Sequence, residues 1–127
     1  MPIPPGGFTD IKREPGVTTR NGLEWEVKLS RPAPAEWILA FQRSGETSSI
    51  ATPGGVRLGP HDSVLLFRAH EDQVDQWLTY IDKWIPFANA RYRALLDEGR
   101  RRSEEQALRD AAEAERIRKL NDRFKNR

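Results

Sequence analysis

Cysteine is absent from this sequence of 127 residues, and histidine occurs only twice. Without cysteine the chain has no disulfide, no thiolate zinc site and no cysteine nucleophile. Long apolar runs are missing too, because the longest, at residues 37–41 and 64–67, are far too short to cross a bilayer. Residues 1–22 lack the apolar core of a signal peptide. These absences predict a cytoplasmic protein with no membrane partner.

A large excess of charge of one sign is also lacking, since 21 Lys and Arg residues stand against 19 Asp and Glu residues. Hydrophobic residues make up 37% and charged residues 31%, which favours one small domain with solvated ends. We expect a mobile segment at residues 1–21, an α+β domain at 22–98 and a charged, partly helical tail at 99–127. The alternative for the first segment is that its apolar residues dock on a surface: Ile3, Phe8, Ile11 and Val17.

Alternating apolar and charged residues predict a strand from Leu23 to Leu29, with one face towards a core and the other towards water. Residues 63–69 predict a second strand, whose four consecutive apolar residues indicate a central position with both faces covered. Short strands are expected at residues 48–51 and 56–58. Pro34 is suited to the first turn of a short helix that ends near Arg43.

Apolar residues recur at steps of three and four along residues 71–96, which predicts one long helix. Pro86 would normally break a helix. It falls, however, about 120° away from the line joining Val74 and Tyr92, on the polar side of the helix. We therefore predict a continuous helix with Pro86 facing solvent. The alternative is two helices separated near Ile85.

These elements predict an α+β fold, in which a small sheet of three or four strands packs on a short helix and a long C-terminal helix. The long helix carries an apolar arc of about 180°, which is wider than a small sheet covers. The short helix at residues 34–43 is one candidate to cover the rest of this arc. The other is a protein partner, or a second copy in a homodimer, for which we predict a surface at Tyr80, Trp84, Phe87 and Arg91. Trp84, like Trp77, is expected to reach the core, and the pattern of Tyr80 and Phe87 fits a core and an interface equally well.

The tail is the second candidate for binding. Residues 98–127 hold ten Lys and Arg residues and seven acidic residues. Gly99 is expected to interrupt the helix, with Ser103 and Gln106 forming a capping box for a second helical run. Acidic and basic residues three or four apart, such as Glu105 with Arg109 and Glu115 with Lys119, support an exposed helix. The basic residues that could bind a nucleic acid are Arg100, Arg101, Arg102, Arg116, Arg118, Lys119, Arg123 and Lys125.

Motifs for catalysis are absent from the sequence. His61 and His70 lie nine residues apart near acidic residues, but no third metal ligand is placed beside them. The sequence contains no G-x-S-x-G motif and no phosphate-binding loop. We therefore expect no catalytic residue, cofactor or metal. The function predicted is a non-catalytic protein-interaction module, and the alternative is a nucleic-acid-associated protein that uses its basic tail.

Overall fold

The computed structural model describes residues 8–45 and 47–127. It divides the chain into two compact units, Met1–Arg93 and Ala94–Arg127. The first unit contains the sheet and all four tryptophans. The second is the C-terminal part of one long helix. The predicted α+β class is confirmed.

The sheet has four strands, β1 (Thr18–Thr19), β2 (Glu24–Lys28), β3 (Arg57–Leu58) and β4 (Val64–Arg68). Their order is β1-β2-β4-β3, and each neighbouring pair is antiparallel. The strand predicted at residues 23–29 and the central position of the strand at 63–69 are therefore confirmed. No strand forms at residues 48–51, where a turn is closed by a hydrogen bond from the Ser48 N–H to the Ala51 carbonyl.

One face of the sheet builds the core. The register places Trp25 opposite Phe67 and Val27 opposite Leu65, and the last three of these side chains are buried. The prediction that β4 is covered on both faces is wrong, because Val64 and Leu66 are only half-buried on the opposite face. That face carries charged side chains, including the Glu24–Arg57 ion pair at 2.5 Å. Leu23 was predicted to face the core but is 46% exposed, although its carbonyl accepts a hydrogen bond from the Ala69 N–H at 2.9 Å.

Two helices cover the apolar face. Helix α1 (Ala35–Gln42) buries Trp37 and Phe41. Pro34 was predicted in the first turn of this helix, but it is the N-cap residue, in an extended conformation one position before the helix. Helix α2 (Val74–Phe124) follows a single 3₁₀ turn. Pro86 lies inside α2 and is exposed, so the predicted continuity through this residue is confirmed.

The helix also continues through Gly99, where a break was predicted. A glycine inside a helix costs only about 1 kcal/mol relative to alanine. Two ion pairs that span Gly99 oppose that loss of stability: Arg100 with Asp97 at 2.6 Å and Arg102 with Glu98 at 3.9 Å. Ser103 is therefore an interior residue of α2 and caps no helix.

The described part of the N-terminal segment belongs to the core, although residues 1–21 were predicted to be mobile. Ile11 is 0% exposed, and the backbone of residues 12–14 pairs with the edge of β2. The edge of the ring of Phe8 packs on Tyr92 at 4.7 Å. The core thus begins well before residue 22. Residues 1–7, including Ile3, lie outside the described residues.

Candidate functional site

The predicted partner surface on α2 is only partly available to a partner. Trp84 is 0% exposed, because Phe41 of α1 packs against it at 5.7 Å and Trp77 at 6.3 Å. Assigning Trp84 to a partner surface was therefore wrong, and its assignment to the core was right. Trp77 is buried as well, stacked on Phe67 of β4 at 5.0 Å.

The other three residues of that surface remain accessible, and we call them the aromatic flank: Tyr80, Phe87 and Arg91. Phe87 is 43% exposed, Arg91 is exposed and Tyr80 is half-buried. Phe87 lies about 60° further round the helix than Trp84, beyond the side on which Phe41 packs. This rotation explains why one large aromatic residue is covered and its neighbour three positions along is not.

The side chain of Tyr80 joins the aromatic flank to the core. Its ring packs on Trp84 at 5.6 Å, and the ammonium group of Lys83 lies over it at 5.3 Å. Packing on a buried tryptophan restricts the ring before any partner binds. An aromatic ring that is held in place and only half-buried is typical of residues that contribute strongly to protein–protein binding.

The exposed C-terminal helix, Ala94–Arg127, neutralises much of its own charge. Five of the ten bases at residues 98–127 form ion pairs with carboxylates three or four positions away: Arg100, Arg102, Arg109, Arg116 and Arg118. Glu115 pairs with Arg118 at 2.6 Å and not with Lys119 as predicted. The hydrogen bonds from Arg116 and Arg118 lower the pKa of Glu113 and of Glu115. These pairs weaken the positive field that a nucleic acid would meet.

The end of this helix is different. Among the described residues, no carboxylate forms an ion pair with Lys119, Arg123, Lys125 or Arg127. Arg123 and Arg127 instead lie over the ring of Phe124, at 5.1 and 5.9 Å. Ile117, which is also exposed, lies about 20° from Phe124 around the helix, whereas Leu108 lies about 180° from Ile117 on the opposite side.

The two histidines do not form a site. His61 lies in a 3₁₀ turn after β3, His70 precedes the turn that leads into α2, and both are exposed. Within residues 8–45 and 47–127, no group of three or more His, Cys, Asp or Glu residues could hold a metal ion. In the same residues, no helix is long and apolar enough to cross a membrane.

Sequence reasoning missed a groove between the N-terminal segment and α2. Its volume is about 550 Å³, and residues 10–16 form one side. On the other side lie Asp82, Ile85, Pro86, Asn89, Ala90 and Arg93 of α2. Arg13 makes two hydrogen bonds to Asp82, at 2.8 and 3.0 Å, which raise the pKa of Arg13, and Arg93 pairs with Asp10.

Asn89 holds the two sides of this groove together. Its Oδ1 accepts hydrogen bonds from the Ile11 N–H at 3.0 Å and from Nε1 of Trp37 at 2.9 Å. Its Nδ2 donates to the Ile11 carbonyl at 2.9 Å. The only signal in the sequence was a polar residue bordering the apolar arc of the helix, and nothing linked it to Ile11, 78 positions away.

Comparison with known proteins gives no relative from which a function could be transferred. No protein-family model, curated protein or solved structure matches this chain significantly.

Proposed function

We propose that the protein is a non-catalytic protein-interaction module that binds a protein partner through the aromatic flank. The observation that carries this proposal is the exposure of Phe87, 43%, beside an exposed Arg91 and a half-buried Tyr80. The three residues fall within an arc of about 40° on one side of α2. Aromatic residues and arginine are enriched where protein partners bind most tightly.

The energetic argument concerns Phe87. A phenylalanine ring that is nearly half exposed leaves apolar area in contact with water, and burying it under a partner gains about 25 cal/mol per Å². Tyr80 adds a ring whose position is already set by Trp84, so little side-chain entropy is lost on binding. Arg91 lies one helical turn beyond Phe87 and supplies charge and hydrogen-bond donors at the rim.

Site-specific photo-crosslinking tests this proposal. A photoreactive phenylalanine analogue replaces Phe87 in cells that naturally produce the protein, and the matched control carries it at Asp75, an exposed position of α2 about 120° away from Phe87. We expect a discrete adduct from position 87 that disappears when Arg91→Ala is added, and none from position 75. Identical adducts from both positions, or none from position 87, would count against the proposal.

Two further measurements interpret the result. Analytical ultracentrifugation of the purified chain separates a homodimer from a complex with another protein, because a homodimer would dissociate on dilution and in Phe87→Ala. Phe87→Ala should change stability by less than about 1 kcal/mol since the ring is on the surface. A loss of binding in this variant is then not a loss of folding.

A second proposal, nucleic-acid association, is supported by four bases at the C-terminal end: Lys119 and Arg123 in the last turns of α2, and Lys125 and Arg127 just beyond it. These four bases make no ion pair among the described residues. This proposal predicts binding to duplex DNA that falls steeply with salt concentration. Replacing all four bases with alanine should abolish that binding, whereas replacing Arg100, Arg102, Arg109 and Arg116 should reduce it less. Equal effects of the two sets would contradict this proposal.

A further inference from the structure

The groove beside Pro86 contains an unused backbone donor and acceptor. The Lys12 carbonyl accepts a hydrogen bond from the Ser30 N–H at 2.8 Å, and the Glu14 N–H donates to the Lys28 carbonyl at 2.8 Å. Backbone groups alternate in direction along a strand, so the N–H and carbonyl of Arg13 point away from β2. Neither group has a hydrogen-bond partner among the described residues.

The neighbouring residue on the same edge, Ile11, shows how such groups are satisfied. The amide of Asn89 accepts from the Ile11 N–H and donates to the Ile11 carbonyl, which is the pair of bonds that an adjacent strand would make. Asn89 therefore takes the place of a strand at Ile11. At Arg13, two residues along the edge, the equivalent place opens on the groove.

We propose that this groove binds an extended peptide segment of another protein, which pairs its backbone with Arg13 and places an apolar side chain on the groove floor. An unpaired N–H and carbonyl on one strand residue are complementary to the backbone of a second extended chain. The floor is formed by Ile85, Pro86 and Ala90, which present no charge. The two ion pairs, Arg13 with Asp82 and Arg93 with Asp10, flank this floor and are each neutral overall, and Lys12 adds one positive charge to the lining.

Two prolines shape the site, Pro86 on α2 and Pro15 in the N-terminal segment. Pro86 lacks an N–H, so it cannot make the helical hydrogen bond to the Asp82 carbonyl one turn earlier. Pro15 also lacks an N–H, and Gly16 adopts a φ of 92°, which ends the extended edge. Backbone pairing is therefore confined to Arg13, and the apolar floor must supply the remaining contact. This site lies on the side of α2 away from the aromatic flank and does not depend on the function proposed for that surface.

Because the chain contains no cysteine, disulfide tethering gives a direct test. Ala90→Cys places a single thiol at the groove rim, on an exposed helical position that accepts the change without a loss of packing. Ala112→Cys, which is exposed on the C-terminal helix, is the matched control. The probes are cysteine-containing peptides of about six residues with a central leucine or serine. Each is made with either a normal backbone or N-methylated amides, and the tethered fraction is measured under mild reduction.

We expect Ala90→Cys to capture the leucine peptide in preference to the serine peptide. N-methylation, which removes the donors needed for strand pairing, should lower that capture about threefold to tenfold, as expected for one net hydrogen bond. Hydrogen exchange of the Arg13 amide should slow in the tethered complex. Capture that does not change with N-methylation, or no more capture than in Ala112→Cys, would overturn the proposal, as would an Arg13 amide that exchanges at its original rate.

Discussion

Replacing Asn89 with alanine is the most direct test of how the N-terminal segment is held in the core. The substitution removes three hydrogen bonds, from the Ile11 N–H, from Nε1 of Trp37 and to the Ile11 carbonyl. Ile11 and Trp37 are both 0% exposed, so water does not reach these groups readily. The variant therefore leaves buried polar groups without partners.

The size of the effect follows from these three groups. An unsatisfied buried donor or acceptor costs roughly 1 to 3 kcal/mol, and three that share one partner are not fully additive. Alanine regains about 0.6 kcal/mol through its higher helix propensity. We expect Asn89→Ala to lower the free energy of unfolding by about 3 to 5 kcal/mol, a large part of the roughly 5 to 15 kcal/mol typical of a domain.

Urea unfolding followed by tryptophan fluorescence measures this change. All four tryptophans lie in the unit Met1–Arg93, so their emission reports its unfolding and not that of the C-terminal helix. Gln76→Ala, which removes an amide side chain at an exposed position of α2 in the same unit, is the control and should change stability by less than about 0.7 kcal/mol. If Asn89→Ala were no more destabilising than Gln76→Ala, the role assigned to Asn89 would be refuted.

Three further predictions concern the same unit. Pro86→Ala should stabilise it by roughly 1 to 2 kcal/mol, because it restores the hydrogen bond to the Asp82 carbonyl, and a loss of stability on thermal unfolding would show that the proline ring is needed for packing. A double-mutant cycle of Arg13→Ala with Asp82→Ala should give a coupling of about 0.5 to 1 kcal/mol that decreases with added salt, and a coupling unaffected by salt would contradict a solvent-accessible pair. Burial, with a smaller effect of Glu36, raises the pKa of Tyr92, so neutral Tyr92 contributes stability below about pH 10 that is lost as the pH rises through the higher folded-state pKa. As the pH rises above about 10, Tyr92→Phe should lose less stability than the wild type, as measured by urea unfolding at each pH. Parallel curves of stability against pH would show that Tyr92 does not cause the loss.

The candidate surface on α2 shows where sequence reasoning succeeded and where it stopped. The helical period identified the apolar side of α2, and the excess width of the apolar arc indicated that part of it would remain uncovered. The pattern could not decide which aromatic residue would remain uncovered. Trp84 is covered because Phe41, 43 positions earlier, packs on it, whereas no comparable ring contact is made by Phe87 among the described residues.

The groove was beyond sequence reasoning for a related reason. Residues 8–21 resemble a disordered segment in composition, but a few contacts change that outcome, foremost those of Ile11, whose side chain is fully buried and whose backbone bonds to Asn89. Composition averages over a segment and does not register one such contact.

What the sequence by itself determined were the local features of this protein: the alternation of β2, the start of α1 next to Pro34 and the continuity of α2 through Pro86. These depend on side-chain periodicity and on backbone sterics, which act over a few neighbouring residues. Only the tertiary structure decided that Ile11 joins the core, that Trp84 is covered while Phe87 is exposed, and that Arg13 presents an unpaired backbone edge. Each of these outcomes depends on contacts between residues far apart in the chain, whose geometry exists only once the sheet and the helices have packed together.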